Sequence, residues 1–209
     1  MDDQQQQTVL KSVAISSGLG GGGVSSQDMQ MAFRVLEEFK AFEGKIPVCI
    51  GWLHQERLVL ENVVDVTVPA KLFASSLLET FLVKGYARLG ENDRLALRHA
   101  VLVAARQVAP LSASEESSRI LGNKLAVLLA GLMVRDFPQR WTTFFQDVFS
   151  PQQGGGLWAD EAGEGYHVMG VKMCLECLRL VAEDCTDSDF NAKVNTKVVL
   201  FIFGAVVGR

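Results

Sequence analysis

The sequence predicts an all-α fold, a right-handed α-solenoid built from helical hairpins. Three observations lead to this prediction. From residue 28 onward, apolar residues recur at three- and four-residue steps almost without interruption. Glycine and proline divide this pattern into segments of helix length. Several segments are apolar on more than one side, which is typical of a solenoid helix because it packs both on its hairpin partner and on the next repeat.

Residues 1–27 are predicted to be a disordered leader rich in Gly, Ser and Gln. The segment is polar and ends in the run GLGGGGVSSQ, so it offers little apolar surface to offset the entropy of folding. A phosphate-binding loop would need a preceding strand and a Lys followed by Ser or Thr, and neither is present. The leader is therefore assigned no site.

The first two helices have clear boundaries. Ser26 and Asp28 offer oxygens that can cap the first helix, and Gly44 ends it. Pro47 lies in the first turn of the second helix. The run VVDVTV at 63–68 has the β-branched character of a strand, but no partner strand is predicted, so it is interpreted as a distorted helix end or a connector.

Six further helices follow the same kinds of signal. The third begins near residue 69, the fourth after 93, the fifth after the run SASEES, and the sixth after a proline. A loop at 151–165 separates them from a seventh helix at about 166–184 and an eighth that runs to the chain end. The residues that open or close these helices are Pro69, Asn92, Asp93, Pro110, Ser114, Ser117, Pro138, Asp187 and Ser188.

The helices can be paired into repeats. Pairs that start near residues 28, 70, 115 and 165 have the spacing of HEAT or armadillo repeats. The prediction is therefore about four HEAT-like hairpins in one domain, 28–209. The apolar run VVLFIFGAVV at 198–207 would form a helix only about 15 Å long, half of a bilayer core, so it is interpreted as a core helix, with a membrane anchor as the alternative. Because an unstacked last repeat would expose this run to water, we expect the domain to be truncated at its C-terminus.

Composition and residue spacing argue against several other functions. The net charge of −4 gives no sign of a basic nucleic-acid face, and no basic–aromatic patch is visible. Cys174 and Cys177 lie in mid-helix among Leu and Met, so they are interpreted as buried, unreactive thiols of an intracellular protein. His54, His99 and His167 are far apart in sequence and none is in a metal-like register. We expect no catalysis, cofactor or metal site.

Three segments carry a resemblance to a known family. The segment KLAVLLAGLMVRDFPQRWTTFFQDVF, 124–149, closely resembles the third repeat of the exportin branch of the importin-β superfamily, with the match centred on RDFPQRW at 135–141. FRVLEEFKAFEGKIPVC at 33–49 and LRLVAEDCTDSDFNAKVNTKV at 178–198 are similar to the first and fourth repeats. Within the branch, the chain looks most like the exportin-5 and exportin-T type, whose cargoes are hairpin RNA and transfer RNA.

The matched motif is interpreted as the structural corner of a repeat. Pro138 stops the helix before it, and the rings of Phe137 and Trp141 can lock the two helices at a fixed angle, with direct contact to a partner as the alternative. Arg135, Asp136 and Arg140 are expected near solvent, as paired surface charges.

The resemblance implies a nuclear export receptor that shuttles between nucleus and cytoplasm. Its N-terminal repeats are expected to bind the Ran GTPase in the GTP form, chiefly through the second helix of each pair. Further implied partners are transport cargo, including structured RNA or transfer RNA, and nuclear pore proteins, with no membrane insertion. The alternative is a helical-repeat adaptor for an unrelated protein. The family offers no short motif for individual Ran-contacting residues.

Overall fold

The architecture was analysed in a computed structural model, which describes residues 1–19, 23–60, 64–112, 114–150, 156–157 and 166–187, with side chains described up to residue 183. Helices dominate these residues, as predicted. The elements are α1 Asp3–Ser16, α2 Ser26–Ala41, α3 Lys45–His54, β1 Val59–Leu60, β2 Val64–Asp65, α4 Thr67–Lys84, α5 Glu91–Val108, α6 Glu116–Asp136, α7 Phe144–Phe149 and α8 Val168–Asp187, with a 3-10 turn at Tyr86–Arg88 between α4 and α5.

The helices stack in two layers. Helix α3 packs on α4, and α5 packs on α6, so each of these pairs is a hairpin. One layer contains the first helices α3 and α5, and the other contains the second helices α4, α6 and α8. The predicted pairing is therefore wrong by one helix, because α4 and α5 lie in different hairpins and hardly touch. Periodicity locates repeats but does not show which neighbouring helices turn back on each other.

Helix α1 corrects the prediction of a disordered leader. It begins with a capping box in which Asp2 accepts from the Gln5 amide at 2.7 Å, while the Gln5 side chain accepts from the Asp2 amide at 3.1 Å. Val9, Leu10 and Val13 are buried, and α1 packs on α2 and α4. The few apolar residues of the leader thus lie on one helical face and enter the core, although the average composition of the segment is polar.

The run at 63–68 lies in the connector between α3 and α4, one of the two predicted alternatives, but the connector is a small antiparallel hairpin, so the expectation of no partner strand is wrong. Strand β2, within the VVDVTV run, pairs with β1, with Leu60 opposite Val64. Thr67 fixes the base of this hairpin, because its hydroxyl accepts from the Leu58 amide at 2.8 Å and its amide donates to Asp65 at 2.9 Å. A two-residue partner strand is too short to be recognised from periodicity.

Two helix caps also differ from those predicted. The N-cap of α2 is Ser25, whose hydroxyl accepts from the Asp28 amide at 3.1 Å. In return, the Asp28 carboxylate accepts from the Ser25 amide at 3.1 Å. The N-cap of α6 is Glu115, and no side chain caps that end, although serines precede and follow it. In both cases the capping residue lies within two positions of the predicted one.

Helix α6 is the centre of the fold. It contacts α4, α5 and α8, and Leu125, Leu128 and Leu129 are fully buried. At Gly122 the helix α8 comes so close that a Cβ would stand 2.9 Å from the Met169 sulfur, so any larger residue would require this side chain to move. In length and composition α6 is, among the described residues, the one helix that could cross a membrane, but just over half of its apolar stretch is packed inside the protein.

The C-terminal predictions can be compared only in part. Helix α8 begins and ends within three residues of the predicted seventh helix. The predicted eighth helix and the run at 198–207 lie outside the described residues, as does most of the loop at 151–165. Within that loop Leu157 is described, and it is buried, with its amide donating to the Val148 carbonyl at 3.0 Å.

Candidate functional site at the corner and groove of the second helices

The predicted corner motif forms the turn between α6 and α7. Phe137 ends α6 with an extended backbone, and Pro138 cannot donate to a continuing helix. The chain then reverses, and the Asp136 carbonyl accepts from the Arg140 amide at 2.7 Å and the Trp141 amide at 3.1 Å. Trp141 is therefore held in the turn before α7, and not within the sixth helix as predicted.

Aromatic rings fill the inside of this corner. The Phe137 ring meets Phe145 edge to face at 5.3 Å between centroids, and Trp141 meets Phe144 in the same way at 4.9 Å. Trp141 is buried, and its indole nitrogen donates to Asp147 at 2.7 Å. These contacts fix the short helix α7 against the end of α6.

A buried ionic cluster joins the corner to α5 and to the turn before α5, and it corrects the expectation of paired surface charges. Asp136 is completely buried, accepts a hydrogen bond from the Tyr86 hydroxyl, and lies 3.6 Å from the Arg98 guanidinium. Arg140, half exposed, is 3.9 Å away on the other side. Arg98 also donates to the Arg140 carbonyl and stacks over the Trp141 ring at 5.6 Å. Four chain segments thus meet at one carboxylate.

Tyr86 is held in its protonated form, so that it can act as a donor. Burial raises the pKa of its phenol, and the hydrogen bond to the Asp136 carboxylate raises it further. The opposing effect of Arg98 and of Arg94, which lies 5.3 Å from the Tyr86 ring centre, is smaller. Arg135 is likewise not a free surface charge, because it donates to the carbonyls of Leu82 at 3.0 Å and Gly131 at 2.8 Å. The cluster therefore holds hairpins together and contains no group poised for chemistry.

An open groove of about 1380 Å³ lies between the N-terminal halves of the second helices α4 and α6, and the C-terminal end of α5, from Gln107, also lines it. The C-terminal end of α1 and the β1–β2 connector close one end of it. The floor is apolar, and Ile120 remains 41% exposed there. Ion pairs stand at its edges, with Lys124 2.6 Å from Glu79 and Arg57 3.0 Å from Asp65. A groove with apolar floor and charged rim is typical of a surface that contacts another protein.

The three cysteines whose side chains the structure describes are buried thiols. Cys49, Cys174 and Cys177 are free and buried, which confirms the interpretation of Cys174 and Cys177. Burial raises the pKa of Cys49 and Cys174 to about 12 and that of Cys177 further, so all three remain thiols at neutral pH.

Two of the three histidines, in contrast, lie together. His54 ends α3 and His99 lies on α5, and the stacking of these first helices brings their rings into contact. Sequence separation gave no indication of this pair, because contacts between stacked hairpins join residues about 45 positions apart. Within the ranges that the structure describes, no cluster of three or more His, Cys, Asp or Glu side chains could hold a metal ion.

One comparison with known proteins gives a match, and this match covers part of the chain. Residues 118–198 match the family model described as exportin 1-like protein. The match covers nearly all of α6, the corner, α7 and α8, and it contains two of the three segments on which the predicted resemblance rests. It supports a relation to exportin- and importin-β-like transport proteins, but it does not distinguish the exportin-5 or exportin-T type. No curated protein and no solved structure matches the chain.

Proposed function

We propose that this chain is the N-terminal part of a nuclear export receptor and that it binds the Ran GTPase in its GTP form through the layer of second helices. The observation that carries the proposal is the exportin-like match across α6–α8, two of the three helices of that layer. In a helical-repeat protein, the helices of one layer present a continuous surface on which a globular partner can lie.

The groove between α4 and α6 is the contact surface in this proposal. Its exposed apolar floor gives a partner area to bury, and its edge charges give the contact direction and register. Lys124 and Glu79 are both about one-third to two-fifths exposed, so each can exchange its present ion pair for one with a partner. At the other end of α6, Arg135 donates to the Leu82 carbonyl of α4 at 3.0 Å, which helps to fix the two helices relative to each other.

Ile120→Asp tests the groove directly. A hot-spot contact at the centre of an interface contributes about 2 kcal/mol or more, so the charged side chain should weaken binding of GTP-loaded Ran by at least tenfold. Leu95→Asp is the matched control, because Leu95 is also exposed, at 51%, but lies on α5 in the other layer. Isothermal titration calorimetry with GTP- and GDP-loaded Ran measures both affinities.

The outcomes separate the two candidate functions. Preference for GTP-loaded Ran that is lost in Ile120→Asp and kept in Leu95→Asp supports the export receptor. Equal or absent binding of both nucleotide forms, with unchanged helical circular dichroism, contradicts it and favours the adaptor for an unrelated partner. The same proposal includes cargo such as structured RNA or transfer RNA and contact with nuclear pore proteins. It also includes shuttling between nucleus and cytoplasm, and action by binding without catalysis.

A further inference from the structure

The histidine pair lies where two stacked hairpins meet. His54 is the last residue of α3, and His99 lies in the middle of α5. Both rings reach solvent, and the Nδ1 atom of His99 is 3.1 Å from the Nε2 atom of His54. The His54 carbonyl accepts from the Gln107 side chain at 3.3 Å, which fixes the end of α3 against α5.

The spacing of the two nitrogens is that of two ligands on one metal ion. Nitrogens about 2.05 Å from a metal are 3.1 Å apart when the N–metal–N angle is about 98°. This angle lies between the roughly 90° of neighbouring octahedral or square-planar positions and the roughly 109° of a tetrahedral site. The distance between the two nitrogens is therefore the one expected if both bound the same metal ion.

The ring centres distinguish converging nitrogens from nitrogens that point at each other. Each nitrogen lies about 1.2 Å from its ring centre, so rings that face a common ion would have centres about 4.9 Å apart, while rings in a head-on hydrogen bond would have centres about 5.5 Å apart. The observed separation is 4.8 Å, with the ring planes 38° apart. The pair is therefore closer to the arrangement of two ligands on one ion than to a head-on hydrogen bond.

We infer that His54 and His99 form a two-histidine site for a divalent transition-metal ion of the kind that prefers imidazole, such as Cu²⁺ or Zn²⁺, with water in the remaining positions. A bound ion would join α3 to α5 and so link two consecutive hairpins. The inference is independent of the proposed transport function, since it concerns the layer of first helices.

The test uses the untagged chain, with Cys185→Ser in every sample so that this thiol takes no part. Zn²⁺ titration by calorimetry at pH 7.5 should show one ion bound per chain, and electron paramagnetic resonance with Cu²⁺ should show coupling to two imidazole nitrogens. His54→Ala and His99→Ala should each weaken the affinity for Zn²⁺ by at least tenfold, while His167→Ala, the matched control on another part of the chain, should leave it unchanged.

Unfolding temperature in EDTA confirms that each variant is folded, because both histidines reach solvent and their loss should shift it little. Saturating Zn²⁺ should raise the unfolding temperature of the chain that has both histidines, and not that of His54→Ala. No binding at millimolar Zn²⁺, a loss below tenfold in either variant, or an equal loss in His167→Ala overturns the inference. Should His54→Ala unfold, His99→Ala, which alters an exposed side chain of a long helix, decides it alone.

Discussion

Replacing Asp136 with Asn should destabilise the fold strongly, because this carboxylate is the one anion of a buried cluster. The substitution keeps the shape of the side chain and removes its charge. Arg98, whose side chain is only 8% exposed, then loses its counter-ion, and Tyr86 loses a charged acceptor. Arg140 is half exposed, so water compensates it and its share of the effect is small.

The magnitude follows from these contacts. Breaking a buried ion pair from one side costs about 3–5 kcal/mol, and replacing a charged acceptor by a neutral one costs about 1–2 kcal/mol. Because an amide oxygen still accepts from Tyr86, we expect a loss of about 3 kcal/mol in the free energy of unfolding for Asp136→Asn. For a chain of this length, that corresponds to a fall of roughly 6–12 °C in the unfolding temperature.

Urea unfolding followed by far-ultraviolet circular dichroism measures this loss. The matched control is Asp147→Asn, since Asp147 also accepts from this corner, through the Trp141 indole and the Thr143 hydroxyl, but is partly exposed. We expect the control to lose less than about 1 kcal/mol. A loss below 1 kcal/mol for Asp136→Asn, or equal losses for both variants, would refute the reasoning that the Asp136 cluster is a buried, charge-dependent junction.

Three further perturbations test other parts of the structure. Leu10→Ala should cost about 2–4 kcal/mol in a urea titration if α1 belongs to the core, whereas a disordered leader would make it silent. Lys71→Met should raise the free energy of unfolding by about 2 kcal/mol at pH 6, because Lys71 is buried and its pKa falls from 10.5 to about 8. As the pH rises from 8 toward 10.5, the stability of the wild type should approach that of the variant. A difference in stability that stays constant with pH would count against this reasoning. The thiols of Cys49, Cys174 and Cys177 should resist a thiol reagent until the chain unfolds, and rapid labelling of the native protein would contradict this. Burial raises the pKa of Cys49 and Cys174 from 9.0 to about 12. The free energy of unfolding should therefore fall as the pH rises above 9.

The all-α class and the helix boundaries could be predicted because they depend on local signals. Apolar periodicity, Pro47 and Pro69 act within a few residues, and the helices α2 to α6 and α8 begin close to their signals. Composition averaged over a segment performed less well. It hid the apolar face of α1, because Val9, Leu10 and Val13 are few but lie on one side of a helix.

What the sequence could not reveal depends on contacts between residues far apart in the chain. Asp136 looked like a surface charge beside Arg135, yet its partners Tyr86 and Arg98 come from 50 and 38 positions earlier in the chain. The histidine pair was missed for the same reason. The helix pairing was also wrong, since nothing local distinguishes the turn after α4 from the turn after α5. The groove, in turn, exists only once α4 and α6 lie side by side.

Hydrogen exchange with and without GTP-loaded Ran measures the central claim most directly. We expect slower exchange along the groove-facing parts of α4 and α6, little change in the part of α5 before Gln107, and no effect of GDP-loaded Ran. Protection confined to α3 and α5, or the same protection with both nucleotide forms, would contradict a Ran-binding surface on the second helices.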